Sequence, residues 1–463
     1  MGKAFSDNTL RLLGYACIAL TAGALFGLLK LSGLLELPFV KLGLLVVMTL
    51  GALWFLIADA FGLLCVVLAL MPFTRGFAQF ELGVVTFSPF TMGLIVLFVV
   101  SLGAIALGYR KLSLSIMDVM LAGVCLFYMG TTLLSPTMIE TGYLAFHALF
   151  IPVTAYVSIR ILAHTPERAR ICLFFMLGGI LVFDVACLAQ FAVVQERVYM
   201  MRVTPVSVGT ITLPAIFVLL YTDMVRQPYR ALLLLCALGA FAVTFSRLYT
   251  LALLLSPLMM RAIRRGGGRS LYLGIMALSL VATLAVAFVI PASLGDQSRD
   301  RGAIAMLRSV KEQEQSAARM TSPALMLKAL DARALEYWDG LLEFTDHPVL
   351  GTGLMLGERM VTQHNLHIEW LLYSGVIGYF FYFSTLLAFF AKFRMEAREP
   401  LVAVCTLSVI FVVINSITNG IMHGFSPYLV FICIGLCHSL TATPDDGGTG
   451  SGAWGGDGFE DAS

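Results

Sequence analysis

From Leu10 to Leu440 the chain keeps returning to apolar stretches of about 20 residues separated by short polar connections. A helix of that length crosses a hydrocarbon core about 30 Å thick. In lipid every backbone N–H and C=O must be paired within the segment, so such stretches specify helices. Composition agrees: 59% of the 463 residues are apolar and 13% charged, against about 25% charged in a typical soluble domain. The predicted fold is all-α, a polytopic transmembrane helical bundle, and a mainly soluble enzyme is excluded.

The first such stretch, MGKAFSDNTLRLLGYACIALTAGALFGLLK, shows no small-residue cleavage site after a short core and is expected to stay as the first transmembrane helix. All nine cysteines fall inside apolar runs, where they read as small buried hydrophobes rather than a disulfide framework. Cys433 and Cys437 lie one helical turn apart without the acidic or histidine neighbours that a metal site needs. No metal and no cofactor are expected.

The formal net charge of +2 carries little information, because in membrane proteins the position of a charge matters more than the sum. Lys and Arg collect in every second connection: Arg110 and Lys111, Arg168 and Arg170, Arg226 and Arg230, RAIRRGGGR at 261–269, and Lys392, Arg394 and Arg398. By the positive-inside rule that side is the cytoplasm. Spans are expected near 12–32, 40–57, 60–73, 89–108, 114–135, 142–163, 170–195, 205–223, 230–245, 248–261, 271–291, 366–391, 400–418 and 425–441. That makes 14 with both ends inside, or as few as 12 if 40–73 is a tilted helix or re-entrant pair. Residues 1–441 form one membrane domain, and 442–463, Gly-rich and acidic, read as a disordered cytoplasmic tail.

The same bookkeeping puts residues 292–365 outside as one long periplasmic loop, with 8 Lys/Arg and 10 Asp/Glu. Ser322 and Pro323 have the form of an N-cap followed by a first-turn proline. Leu327, Leu330, Ala334, Trp338 and Leu341 follow at helical spacing, an amphipathic stripe for the membrane surface or the bundle. This helix is expected to end near Thr345, before TDHPVLGTGL. Beyond it, Gln363, His364 and Asn365 stand where a capping residue would open the next span. The free N–H groups of that first turn favour an anion.

Four segments in this order, RVTPVSVGT (202–210), FSRLYTLALLL (245–255), DARALEYWDGLLEFTDHPVLGTGL (331–354) and HNLHIEWLLYSGVIGYFFYF from His364, resemble the O-antigen ligase and O-antigen polymerase family of polytopic glycosyltransferases. The carriers are an arginine five residues before a tryptophan, a His-Pro-x-x-Gly-x-Gly turn, and a His-Asn helix with glycines at 375 and 378. The resemblance covers roughly residues 170–440. TPVSVGTITLP stands where the family often has a Gly-Asn-Pro-Asn-like segment.

The resemblance implies transfer of a polysaccharide from an undecaprenyl diphosphate-linked donor to a sugar hydroxyl, on the periplasmic face of the bacterial inner membrane. The acceptor is lipid A core in a ligase and a growing glycan in a polymerase. A diphosphate leaving group gathers negative charge, and arginine forks suit its oxygens. On this reading Arg333, Arg247 and Arg202 hold the diphosphate and His364 is the general base, with Asn365 and His367 beside it. No Asp-x-Asp pair occurs in the outer loops to hold a metal instead. Membrane lipids are partners and nucleic acid is not.

Plainer roles stand beside these. His364 as a cap, Arg333 paired with Glu336, Arg247 anchored among headgroups, His367 in packing, His347 as a turn residue, and Glu369 with Trp370 at the interface all fit the residues alone. Asp184, inside a span, either pairs with a base such as Arg160 or lines a cavity. A transporter or flippase is the rival class, although no internal six-span repeat is evident.

Overall fold

The computed structural model describes residues 59–73, 80–82, 85–108, 114–134, 145–194, 205–244, 247–294, 337–352, 355–356, 359–360, 365–419 and 426–442, with the single positions 43, 138, 142 and 334. The expected spans 12–32 and 40–57, apart from Gly43, and the start of the loop helix at Ser322 and Pro323 lie outside the described residues.

Within these bounds the chain is helical, as its apolar runs require. The helices are α1 (Ala60–Leu70), α2 (Pro89–Ala106), α3 (Ile116–Leu134), α4 (Ile151–Leu162, entered through a π turn at Phe146–Phe150), α5 (Pro166–Val194), α6 (Pro205–Tyr221), α7 (Tyr229–Ala242), α8 (Arg247–Ala262), α9 (Gly268–Leu294), α10 (Leu366–Lys392), α11 (Pro400–Asn419) and α12 (Ser426–Leu440). Two short antiparallel ladders, β1 (Phe80–Leu82) with β2 (Val85–Phe87) and β3 (Met355–Leu356) with β4 (Arg359–Met360), lie in connections. Each helix coincides with an expected span to within a few residues. Local chemistry sets the starts. Ser88 caps α2 in a reciprocal box with Thr91 ahead of Pro89, and the Thr165 hydroxyl receives the Arg168 N–H at the start of α5.

Among the described residues six apolar segments are long and apolar enough to cross a membrane, and five shorter apolar helices accompany them. One of the six, Tyr249–Ala287, runs for 39 residues, about 58 Å if straight and far too long for one crossing. It is two helices. Gly266 adopts φ 78 between α8 and α9, a left-handed turn that glycine takes at little cost.

The core sits around α11 and α12. In α11 83% of the apolar window is buried, against 22% in α3 and 28% in α2. The outer helices turn Leu102, Leu126, Leu133, Leu232, Leu254 and Leu278 outward. Leucines exposed in this number would be a liability in water and are the natural surface against lipid.

Polar contacts sort the helix ends onto two faces. Arg160 at the end of α4 pairs with Asp118 at the start of α3 at 2.5 Å, and Tyr156 donates to the same carboxylate at 2.5 Å. Lys392 at the end of α10 meets His438 at the end of α12 at 3.2 Å. Arg170 of α5 approaches Glu399 before α11 at 3.8 Å, and Arg168 lies over the Phe61 ring of α1. Arg230 of α7 and Arg264 after α8 donate to the last carbonyls of α6. The basic connections after α4, α6, α8 and α10 thus share one face, called here the basic face; Arg110 and Lys111 lie outside the described residues.

Two sequence expectations are corrected. Arg160 is the partner of Asp118 and not of Asp184, which instead accepts from Thr212 of α6 at 2.5 Å. Glu369 and Trp370 are not interfacial: both are buried, with the Trp370 ring stacked on Tyr382 at 3.9 Å and edge-on to Tyr128. The first turns of α10 point into the bundle, so this stretch meets protein before lipid.

Candidate functional site

At the end of the bundle opposite the basic face, buried hydrogen bonds stitch several helix ends together. Asn365 is the centre. Its Oδ1 accepts the N–H groups of His367 and Ile368 at 2.9 and 3.2 Å, capping α10. Its Nδ2 donates to Thr283 of α9 at 2.8 Å and to the Ile417 carbonyl near the end of α11 at 3.1 Å. One side chain therefore caps one helix and clamps two others.

Two residues earlier in α11, Asn415 donates to Thr210 of α6 at 3.3 Å, and Thr210 is hydrogen-bonded to Tyr249 of α8. Gly209 lies flat against the Tyr249 ring, where a Cβ would come within 2.7 Å of two ring carbons. The starts of α6, α8 and α10 are thus joined through the last turn and a half of α11. All three present N-terminal ends to this face, each the positive end of a helix dipole.

His367 is 1% exposed and its ring is used on both sides. Ser279 gives its hydroxyl proton to the Met276 carbonyl, so its oxygen accepts from Nε2 at 2.7 Å, and Tyr379 then donates to Nδ1 at 2.8 Å. This describes a neutral imidazole locked between α9 and α10, with Phe383 stacked on its face. These contacts hold the first turns of α10 against α9.

A break in α10 completes the architecture. Gly375 has φ 59 and ψ −168, a conformation open essentially to glycine alone. The freed backbone groups are taken up by the turn at 347–352. The Val376 N–H donates to the Pro348 carbonyl at 2.9 Å, and the Leu372 carbonyl accepts the Thr352 N–H at 2.6 Å and its hydroxyl at 3.0 Å. Gly351, at φ 72, brings the turn close: a Cβ there would lie 2.5 Å from the Leu372 carbonyl and the Ser374 N–H. The break at Gly375 is tolerated because the turn takes up the backbone groups it frees. The glycines of the His-Pro-x-x-Gly turn and of the α10 pattern are thus two halves of one joint.

The turn is carried by the end of the loop helix. Residues 337–346 are helical, so the helix ends within a residue of the expected Thr345. Ala334 and Tyr337 are buried, with Leu341 and Phe344 packed on the core, while Trp338 lies half-buried at the edge. The stripe faces the bundle, rotated slightly from the expected one. On its flank Glu343, between Asp339 and Asp346, has its carboxyl held above the usual range by burial first and then by those two acids.

Of the residues proposed from sequence, Asn365 and His367 stand as described. Arg247 is the first residue of α8 and only its backbone is described. Arg202, Arg333 and His364 lie outside the described residues. In the chain Arg202 stands three residues before α6, and His364 immediately precedes Asn365.

Sequence reasoning missed Thr210, Tyr249, Ser279, Thr283 and Asn415. The available signal was a polar side chain inside an apolar run, which must find a partner across a helix interface. Asp184 belongs to the same half of the bundle; its Oδ2 is buried with no hydrogen-bond partner among the described residues. Among the described residues no group of three His, Cys, Asp or Glu is arranged to hold a metal. No protein-family profile matches this chain, and no curated protein does.

Proposed function

We propose that the chain is an O-antigen ligase-like membrane glycosyltransferase, moving a polysaccharide from undecaprenyl diphosphate to a sugar hydroxyl of lipid A core. The observation that carries this reading is the joining of the α6, α8 and α10 N-termini through Asn365, Thr210, Tyr249 and Asn415. Those are the helices at whose starts the sequence puts Arg202, Arg247 and His364. Three helix dipoles and the arginines would give a diphosphate the positive surroundings it needs as charge develops.

In the reaction His364 takes the proton of the acceptor hydroxyl. The freed oxygen pair forms the bond to the anomeric carbon as the carbon–oxygen bond to the diphosphate breaks. The departing undecaprenyl diphosphate keeps that bond's electrons, and Arg333, Arg247 and Arg202 meet the charge. In this proposal the chain makes 12 to 14 crossings, the basic face is cytoplasmic, and the site opens to the periplasm of the bacterial inner membrane.

A polymerase of the same family would use the same groups on a lipid-linked acceptor. The lipopolysaccharide of a deletion strain separates the two. Bare core with accumulated lipid-linked polymer indicates a ligase, and retained single-unit capping without long chains a polymerase. No change in any surface polysaccharide contradicts both and leaves a flippase-type role. With purified protein, Arg333→Ala and His364→Ala should each reduce transfer at least 100-fold while remaining folded, and near-normal product from either refutes its role.

A further inference from the structure

The basic face carries a second charged feature. Arg261, Arg264, Arg265 and Arg269 flank or occupy the turn between α8 and α9, and Arg394 and Arg398 the turn between α10 and α11. All six are exposed. The turns at Ile263–Gly267 and Glu396–Arg398 pack together, with Gly266 against the Arg394 stem, where a Cβ would be 3.3 Å from its Cγ and Nε. Among the described residues none of the six has a carboxylate at ion-pair distance. Glu396 is exposed in the same turn, and Glu399 is committed to Arg170 and to the N–H of Val402 at 2.8 Å.

The other end of the charge balance is in the sequence. Residues 443–463 hold Asp445, Asp446, Asp457, Glu460 and Asp461, no Lys, Arg or His, and two aromatic residues, Trp454 and Phe459. In the chain they follow Ala442, just past α12, whose last turn lies on the basic face. His438, four residues before Ala442, lies 3.2 Å from Lys392, and its ring is 5.0 Å from Phe393, the neighbour of Arg394. Extended chain advances about 3.3–3.6 Å per residue, so Asp457 and Glu460 can lie up to about 50–60 Å from Ala442, ample to cross the patch.

We propose that residues 443–463 dock in cis on this arginine patch, occupying a surface otherwise open to anionic headgroups. Single exposed ion pairs are weak and screened by salt. The contact therefore depends on several pairs acting together, on arginine stacked against Trp454 and Phe459, and on a tether that keeps the acids at high local concentration. The inference is independent of the transferase reading.

The test places the photo-reactive residue p-benzoylphenylalanine at Trp454 in the full-length protein, in phosphatidylcholine nanodiscs holding one copy each. Cross-linked peptides from 261–269 and 394–398 are expected at low salt. Their yield should fall at least fivefold in 0.5 M NaCl, and as much when the five tail acids become Asn or Gln, changes that leave the helical bundle untouched. Cross-links elsewhere, or a yield indifferent to tail charge, overturn the proposal. In phosphatidylglycerol nanodiscs at the same ionic strength, retained cross-links support docking, and their loss shows that headgroups, not the tail, hold the patch.

Discussion

Asn365→Ala should be among the costliest single-atom-group losses in the molecule. The side chain makes four hydrogen bonds while 1% exposed: two as the α10 cap and one each to Thr283 and Ile417. Losing a cap costs about 1 kcal/mol, and each buried hydrogen bond about 1 kcal/mol more. The expected loss is about 3 kcal/mol, roughly a 100-fold shift in the unfolding equilibrium. Asn365→Ser separates the parts. A serine keeps the cap but not the two amide donors, so it should cost about 2 kcal/mol. Unfolding by SDS in mixed micelles, followed by circular dichroism, measures both, and a cycle with Thr283→Ala should show coupling of about 1 kcal/mol. A loss below about 0.5 kcal/mol for the alanine variant would show that the clamp does not hold α9, α10 and α11 together.

Three further outcomes follow from other parts of the structure. Gly375→Ala drives a Cβ into the Val349 carbonyl and forces alanine into a glycine-only conformation; a loss of about 2–4 kcal/mol is expected, with faster amide exchange at 347–352, and unchanged exchange there would disprove the joint. The Asp118–Arg160 pair is largely buried, at 9% and 8% side-chain exposure, but Ser115 and Tyr156 still hold the carboxylate when the guanidinium is gone, so Arg160→Ala should cost about 1–3 kcal/mol and Asp118→Asn with Arg160→Met less; equal losses would rule out the uncompensated charge as the cause. Because the Glu343 carboxyl is raised in the folded chain, its contribution is fully present below the ordinary carboxylate range and is lost as pH rises through the raised value. The 337–346 helix should accordingly be better protected from exchange at mildly acid pH than at neutral pH, after correction for intrinsic rates. Glu343→Gln should abolish that difference, and a difference that survives it would assign the effect to another group.

How far the fold could be read in advance depended on the kind of force involved. Helix positions were legible because bilayer thickness and backbone pairing leave one solution for a 20-residue apolar run, and α2, α5 and α11 sit where the hydropathy put them. The reversal at Gly266 was legible from charge, since Arg261 to Arg269 interrupt the apolar pattern. Pairings were not. Asp118 and Asp184 both lie in apolar sequence, and only the meeting of the α3 start with the α4 end decides which acid Arg160 pairs with. The glycines at 351 and 375 were visible as a pattern, but their shared role depends on a contact between segments that sequence spacing does not encode. Asn365 was legible as a cap, whereas its second duty, tying α9 to α11, needed the neighbours in place.

The most direct measurement is an experimental structure of the protein with an undecaprenyl diphosphate-linked donor bound. The account predicts the diphosphate over the joined starts of α6, α8 and α10, in contact with Arg333 and at least one of Arg202 and Arg247, with the His364 imidazole facing the anomeric carbon. A diphosphate bound on the basic face, or the guanidinium groups and the imidazole directed away from one another, would contradict it.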